Sequence, residues 1–151
     1  MQGPVFLTLD HVRRLHARQI DRFGGDPGIR DIDLIESAIA QPQAGGYGVY
    51  YHKDVAEMAA AYLFHLVSNH GFVDGNKRVG AAAALVFLEL NGADTDAIDE
   101  NELEALTLAV AAGDCKDKAQ IAEFFRRYTP EQTVEQEDDG QDEDDQEDQM
   151  E

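Results

Sequence analysis

A polar segment between two strongly apolar helical patterns constrains the fold and function of this chain more than any other feature. Residues 70–78 read HGFVDGNKR. Residues 54–69 carry apolar side chains at the spacing of one helix face, and residues 79–88 are almost wholly apolar. Because two buried helices would hold both ends of the polar segment, we predict that it forms the functional site, with the second helix as the central one of the fold.

The boundaries of these two helices are predicted from local signals. Gly71 is a natural stop for the first helix, which places His70 at its C-terminal end. Asn76 is a plausible N-cap for the second helix. The N-terminus of a helix presents unpaired N–H groups and a favourable dipole to an anion, and Gly75 would let a ligand approach closely. We therefore expect a phosphate-binding turn at residues 74–77.

The side chains of the segment add the chemistry of group transfer. Asp74 offers the hard carboxylate oxygen that Mg²⁺ prefers when it also binds substrate phosphate. Lys77 and Arg78 add positive charge to the turn. His70 is the candidate general base, because an imidazole accepts a proton near neutral pH. A plain helix-loop-helix with solvated charges is the alternative interpretation of the isolated elements.

The whole segment closely resembles the H-x-F-x-[DE]-x-N-K-R motif of the Fic/Doc superfamily, in the form found in the Doc (death-on-curing) toxin branch. A looser resemblance extends from about Leu7 to Tyr128. It implies an all-α fold, a compact bundle of about six helices with a short flap or hairpin. It also implies roles for the motif residues: His70 as general base toward a target hydroxyl, Asp74 as the Mg²⁺ ligand, Gly75, Asn76 and Lys77 as the anion loop, Arg78 as a contact to nucleotide phosphates, and Phe72 as a structural anchor.

Two departures from the pattern of the AMP-transferring Fic enzymes bear on the reaction. Those enzymes usually read H-P-F-x-[DE]-G-N-G-R-x-x-R, whereas this chain has Lys77 for the second glycine and Ala81 for the second arginine. Doc toxins share both departures and are kinases that transfer the γ-phosphate of ATP to a threonine of elongation factor Tu. The resemblance therefore favours a protein kinase that inhibits translation. Gly75 fits the Fic pattern equally well, so AMP transfer stays open, as does a catalytically idle binding module.

The resemblance also implies how such a toxin would be controlled. Some Fic proteins carry an inhibitory helix of the form [ST]-x-x-x-E-[GN], but here Asp96 stands where Ser or Thr is required before Glu100-Asn101. This favours control by a separate protein. Resemblance to Doc implies a toxin-antitoxin system with a Phd-like antitoxin, whose C-terminal segment would fold as a helix into a groove of the toxin.

Charge and composition divide the chain into a domain at 1–130 and a disordered acidic tail at 131–151. The tail holds 12 of the 31 acidic residues and no Lys or Arg, so the net charge of −19 exaggerates the acidity of the domain. The domain lacks the dense basic stripe expected of a nucleic-acid-binding protein. Its longest apolar stretch is too short to span a membrane, and the start resembles no secretion signal, so we predict a cytoplasmic protein.

The remaining elements are predicted by periodicity and turn residues. Thr8 or Asp10 should cap a helix that reaches about Phe23, with Phe23 turned inward. A glycine- and tyrosine-rich stretch at 41–53 predicts either a hairpin or flap that pairs with a target segment or a plain surface loop. A later helix should bury Leu108, and the other four histidines lack metal-ligand spacing and are expected to be structural.

Overall fold

The computed structural model describes residues 3–129, which form a bundle of six helices with one small hairpin. The prediction of an all-α fold of about six helices is confirmed. The acidic tail predicted at 131–151 lies outside the described residues. No helix among residues 3–129 is long and apolar enough to cross a membrane. The helices are α1 (Leu9–Phe23), α2 (Ile32–Ala40), α3 (Val55–Asn69), α4 (Asn76–Leu90), α5 (Glu100–Ala112) and α6 (Lys118–Arg126).

Short elements connect the helices. The hairpin pairs β1 (Gly45–Gly46) with β2 (Val49–Tyr50) in antiparallel register, as expected for the flap region. A 3-10 turn at Gln41–Gln43 precedes it, and another at Thr95–Ala97 lies between α4 and α5.

Most helix starts follow from a capping side chain. The Thr8 hydroxyl accepts from the His11 N–H at 3.2 Å, while His11 Nδ1 accepts from the Thr8 N–H at 3.1 Å, which completes a reciprocal capping box. Aspartates cap four more helices: Asp31, Asp54, Asp99 and Asp117. Helix α4 differs, because it starts at Gly75 without a side-chain cap. Its first N–H groups are therefore left for another acceptor.

Helix α3 is the centre of the bundle. It contacts α2, α4, α5 and α6, and its buried face includes the fully enclosed Tyr62 and Leu63. The prediction that α4 is the central helix was wrong, because the outer side of α4 is only partly covered around Leu85 and ends at the exposed Leu90. The apolar runs of α3 and α4 look alike in sequence, and the packing of α2, α6 and the Gln41–Gln43 turn on α3 distinguishes them.

Two apolar side chains predicted to be inward are exposed. Phe23 is 59% exposed, because it is the last residue of α1 and lies under the guanidinium groups of Arg22 and Arg78, at 5.3 and 5.6 Å from its ring centre. Leu108 is 49% exposed, and the neighbouring Thr107 is buried instead. Thr107 is accommodated there because its hydroxyl donates to the Leu103 carbonyl at 2.8 Å.

The stability of the fold is expected to depend on pH through His65 on α3. Its Nε2 lies 3.0 Å from Lys118 Nζ, and burial, followed by the charges of Lys118 and His52, lowers the pKa of His65 from 6.5 to about 4. Because the unfolded chain then binds this proton more readily than the folded one, stability should be complete above about pH 6.5 and decline toward pH 4. Burial also lowers the pKa of His52, which acts in the same direction.

The His65→Gln variant tests this dependence by urea unfolding across that pH range. We expect a shallower loss of stability on acidification than in the wild type. His11→Gln is the matched control, because His11 is exposed and glutamine at its position preserves a capping box. An unchanged pH slope in His65→Gln would show that other groups cause the acid sensitivity.

Candidate functional site

The predicted site is a tight loop between α3 and α4 whose two ends have left-handed backbone conformations. His70 is the C-cap of α3, with φ 54° and ψ 47°, and Gly75 is the N-cap of α4, with φ 83° and ψ 13°. The expected positions, His70 at the end of the first helix and about Asn76 at the start of the second, are confirmed, but the capping residues are His70 and Gly75 rather than Gly71 and Asn76. Gly71 is needed for packing instead, since a Cβ there would lie 2.4 Å from Ile35 Cγ1.

Asn76 closes the loop with its side chain. Its Nδ2 donates to the Phe72 carbonyl at 2.9 Å, and its Oδ1 accepts from the Phe72 N–H at 3.1 Å. Phe72 is 2% exposed and anchors the loop in the core, as predicted. Because the amide of Asn76 is engaged with Phe72, its contribution to an anion loop would come from its backbone N–H.

The start of α4 has the features of an anion cradle. Gly75 offers no side-chain cap, and its carbonyl accepts from the Val79 N–H at 2.9 Å, so the N–H groups of residues 76–78 belong to the open first turn. Lys77 is exposed beside them. Within residues 3–129 its ammonium has no hydrogen-bonding or ion-pairing partner. The turn can therefore bind a negatively charged oxygen from outside the chain.

Asp74 presents an exposed carboxylate at the edge of this cradle. Its Oδ2 accepts from the Asp26 N–H at 2.9 Å, and its carbonyl oxygen lies 2.7 Å from His16 Nε2. The described part of the chain contains no cluster of three or more His, Cys, Asp or Glu side chains that could hold a metal. A single carboxylate suits Mg²⁺ that takes its other oxygens from phosphate and water. Asp74 thus fits a magnesium ion bound together with a nucleotide.

Arg78 lies at the junction of the site with α1. Its guanidinium donates to the Gly24 carbonyl at 3.0 Å and to the Gln19 carbonyl at 3.4 Å. A guanidinium has five N–H donors, so these two contacts fix the side chain without using all of them. The remaining donors could bind a phosphate that lies over the α4 N-terminus.

The loop between α1 and α2, residues 24–31, forms backbone hydrogen bonds with the site loop, which the sequence did not reveal. The Val73 N–H donates to the Gly28 carbonyl at 3.0 Å, and the Arg30 N–H donates to the Gly71 carbonyl at 2.8 Å. Its glycine, proline and aspartate residues indicated only a turn-rich connector. Nothing in the sequence indicated that this connector pairs with a loop more than 40 residues later.

His16 supports the site loop from α1, which its position in the sequence did not reveal. It is 3% exposed, and its ring stacks on Phe72 with centroids 3.8 Å apart and planes at 12°. Since a carbonyl can only accept, Nε2 of His16 must donate the 2.7 Å hydrogen bond to Asp74. His16 therefore supports the loop both at Phe72 and at Asp74.

Two substitutions separate these contributions of His16. Phenylalanine keeps the stacking but removes the donor, and glutamine keeps a donor but removes the stacking. We expect each variant to weaken Mg-nucleotide binding by about three- to tenfold, a loss comparable to that of one hydrogen bond. Isothermal titration with a non-hydrolysable ATP analogue measures this effect. Unchanged affinity in both variants would show that the loop keeps its shape without His16.

The hairpin is anchored at the other end of α3 from His70. The Tyr50 ring packs against Phe6 at 5.6 Å, and the buried His52 and Asp54 lead directly into the start of α3. From Val55 to Asn69, α3 rises about 20 Å. Tyr47 and Tyr51 are strongly exposed on the hairpin and its flank. The docking of a target segment at this hairpin stays a prediction.

This chain is similar to known proteins over much of its helical domain. The family model for the Fic/DOC family matches residues 6–88. The chain is 45% identical to Toxin Doc of Mycolicibacterium smegmatis over 94 residues, which cover 62% of this chain and 72% of that protein. It is 36% identical to Protein kinase doc of Escherichia phage P1 over 115 residues, which cover 75% and 86%. The chain belongs to the Fic/DOC family, and within it to the Doc branch.

Proposed function

We propose that this protein is a Doc-type toxin that uses ATP and Mg²⁺ to phosphorylate a Ser or Thr hydroxyl of a protein target. One juxtaposition carries the proposal: the exposed His70 at the end of α3 and the uncapped N-terminus of α4 are separated by only a five-residue loop. A base for the attacking hydroxyl and a cradle for the transferred phosphate are thus held by two helices that pack on each other in the core.

The motif residues His70, Asp74 and those at the start of α4 have separate roles in this reaction. The imidazole of His70 accepts the proton of the target hydroxyl while its oxygen bonds to the γ-phosphorus and the bond to the β-phosphate oxygen breaks. The N–H groups at the start of α4, Gly75 at the closest approach, and the charges of Lys77 and Arg78 stabilise the phosphate oxygens. Asp74 would hold Mg²⁺, which supplies additional charge neutralisation when it is bound.

Phosphoryl transfer is preferred over AMP transfer for two reasons. Ala81 occupies the position at which AMP-transferring Fic enzymes carry their second arginine, and a methyl group cannot clamp the outer phosphates. The phage P1 relative, 36% identical to this chain, is named a protein kinase. AMP transfer is the alternative reaction at the same site, because Gly75 also fits the Fic pattern.

The names of the relatives support a proposed biological role. Because the mycobacterial relative is named a toxin, we propose that this chain is the toxin of a toxin-antitoxin system, neutralised by a Phd-like antitoxin. By resemblance to Doc, the target would be elongation factor Tu, and its phosphorylation would inhibit translation. This function belongs to the cytoplasm and requires neither nucleic acid nor a membrane.

The experiment is intact-protein mass spectrometry of purified elongation factor Tu and of a cell-extract protein pool, incubated with Mg-ATP and the full chain. A gain of one phosphoryl group on a protein is the expected result. A gain of an AMP group would replace the kinase assignment with the AMP-transferase. No modification with a folded chain would favour the catalytically idle binding module.

A further inference from the structure

His70 is held in a backbone conformation that its residue type rarely adopts. Among residues 3–129, only Tyr47 and His70 combine a side chain with a positive φ, and Tyr47 lies in the exposed hairpin. His70 follows a buried helix, so its left-handed conformation must be imposed by its surroundings. Strained residues of this kind persist where neighbouring groups fix them, and they concentrate at functional sites.

Arg30 supplies that fixation from the 24–31 loop. Its Nε donates to the carbonyl of His70 at 2.7 Å, and its Nη2 donates to the carbonyl of Asn69 at 3.3 Å. The backbone of the same residue adds the 2.8 Å bond from its N–H to the Gly71 carbonyl. One residue thus engages three consecutive carbonyls around the proposed base.

These contacts do what a glycine C-cap does elsewhere in the fold. At the end of α5, the N–H of Gly113 returns to the carbonyls of Ala109 and Val110 and closes the last turn. At the end of α3, no such return bond from His70 is present among the described residues. The cationic Arg30 side chain takes over, where a positive charge also complements the helix dipole.

We propose that Arg30 is a positioning residue for His70, resting on the transfer reaction proposed above. By capping the carbonyls of Asn69 and His70, the guanidinium holds the backbone in the left-handed conformation that directs the imidazole out of α3 toward the α4 cradle. It does so without contacting the nucleotide-binding turn. That turn is fixed independently by His16, Asp26 and Asn76.

This independence predicts a separation of kinetic constants in Arg30→Ala. We expect kcat to fall by about 10- to 100-fold, the loss typical of a catalytic group displaced by about 1 Å. The KM for ATP should stay within about threefold of the wild-type value, because uniform binding is not removed. Arg30→Lys keeps one charged donor and should recover part of kcat. The control Arg13→Ala, at an exposed α1 position outside the site, should match the wild type.

Amide hydrogen exchange of residues 69–73 in the full-length variants provides a readout independent of activity. Faster exchange there in Arg30→Ala, with the rest of the bundle unchanged, is expected. If ATP transfer is absent from the wild type, the proposed function fails while the exchange still tests the capping. Unchanged exchange in Arg30→Ala overturns the positioning role, as does a parallel loss in kcat and in thermal stability without recovery in Arg30→Lys.

Discussion

Replacing His70 with alanine should lower the rate of phosphoryl transfer by about 10²- to 10⁴-fold, the usual contribution of a general base. The imidazole is exposed, so its removal should leave the thermal midpoint of unfolding close to that of the wild type. Radiolabelled phosphate transfer from ATP to elongation factor Tu measures the rate, and circular dichroism measures the melting curve.

The control for this variant is His11→Gln, which alters an exposed histidine on α1 and keeps a capping box. It should transfer phosphate at the wild-type rate. A His70→Ala variant that retains full activity would remove the imidazole from the mechanism and would leave the anion cradle as a binding site only.

The second large effect is expected in stability, at the contact between α3 and α4. A Cβ on Gly80 would lie 2.6 Å from Val67 Cγ2 and 3.3 Å from the Leu63 carbonyl. Val67 is fully buried, and a β-branched side chain has little rotameric freedom in a helix, so it cannot move aside. Gly80→Ala should therefore lower the free energy of unfolding by about 1–3 kcal/mol.

The sign of this effect is informative, because alanine in place of a mid-helix glycine otherwise stabilises a protein by about 1 kcal/mol. Urea unfolding measures it. Val67→Ala removes the obstructing methyl group, so Gly80→Ala should cost less in a Val67→Ala background than in the wild type. Additive losses in the double variant, or stabilisation by Gly80→Ala alone, would contradict the close packing of the two helices.

The helices were predictable because their information is local. Thr8, one of the two caps proposed for the first helix, caps α1, and that helix ends at Phe23 as expected. The exposure of Phe23 was not predictable in this way. Helical periodicity indicates which face is apolar, but not where a helix extends beyond the core.

The site was predictable in composition but not in geometry. The motif identified His70, Asp74 and the residues at the start of α4, and its roles in catalysis stay predictions. The supports of the loop, His16 and Arg30, were missed because each acts through a backbone carbonyl of a residue distant in sequence. Such a contact requires no particular partner side chain, so neither spacing nor residue type reveals it.

The long sequence separation of these supports has a consequence for folding. Helices α3 and α4 are neighbours along the chain and can associate early, since closing a short loop costs little entropy. The site loop between them, however, is shaped by hydrogen bonds to residues 40 to 58 positions earlier, at Arg30, Asp26 and His16. The α3–α4 pair alone therefore lacks the bonds that orient His70 and Asp74. Catalytic competence at the proposed site would therefore require α1 and the 24–31 loop to be docked on this helix pair.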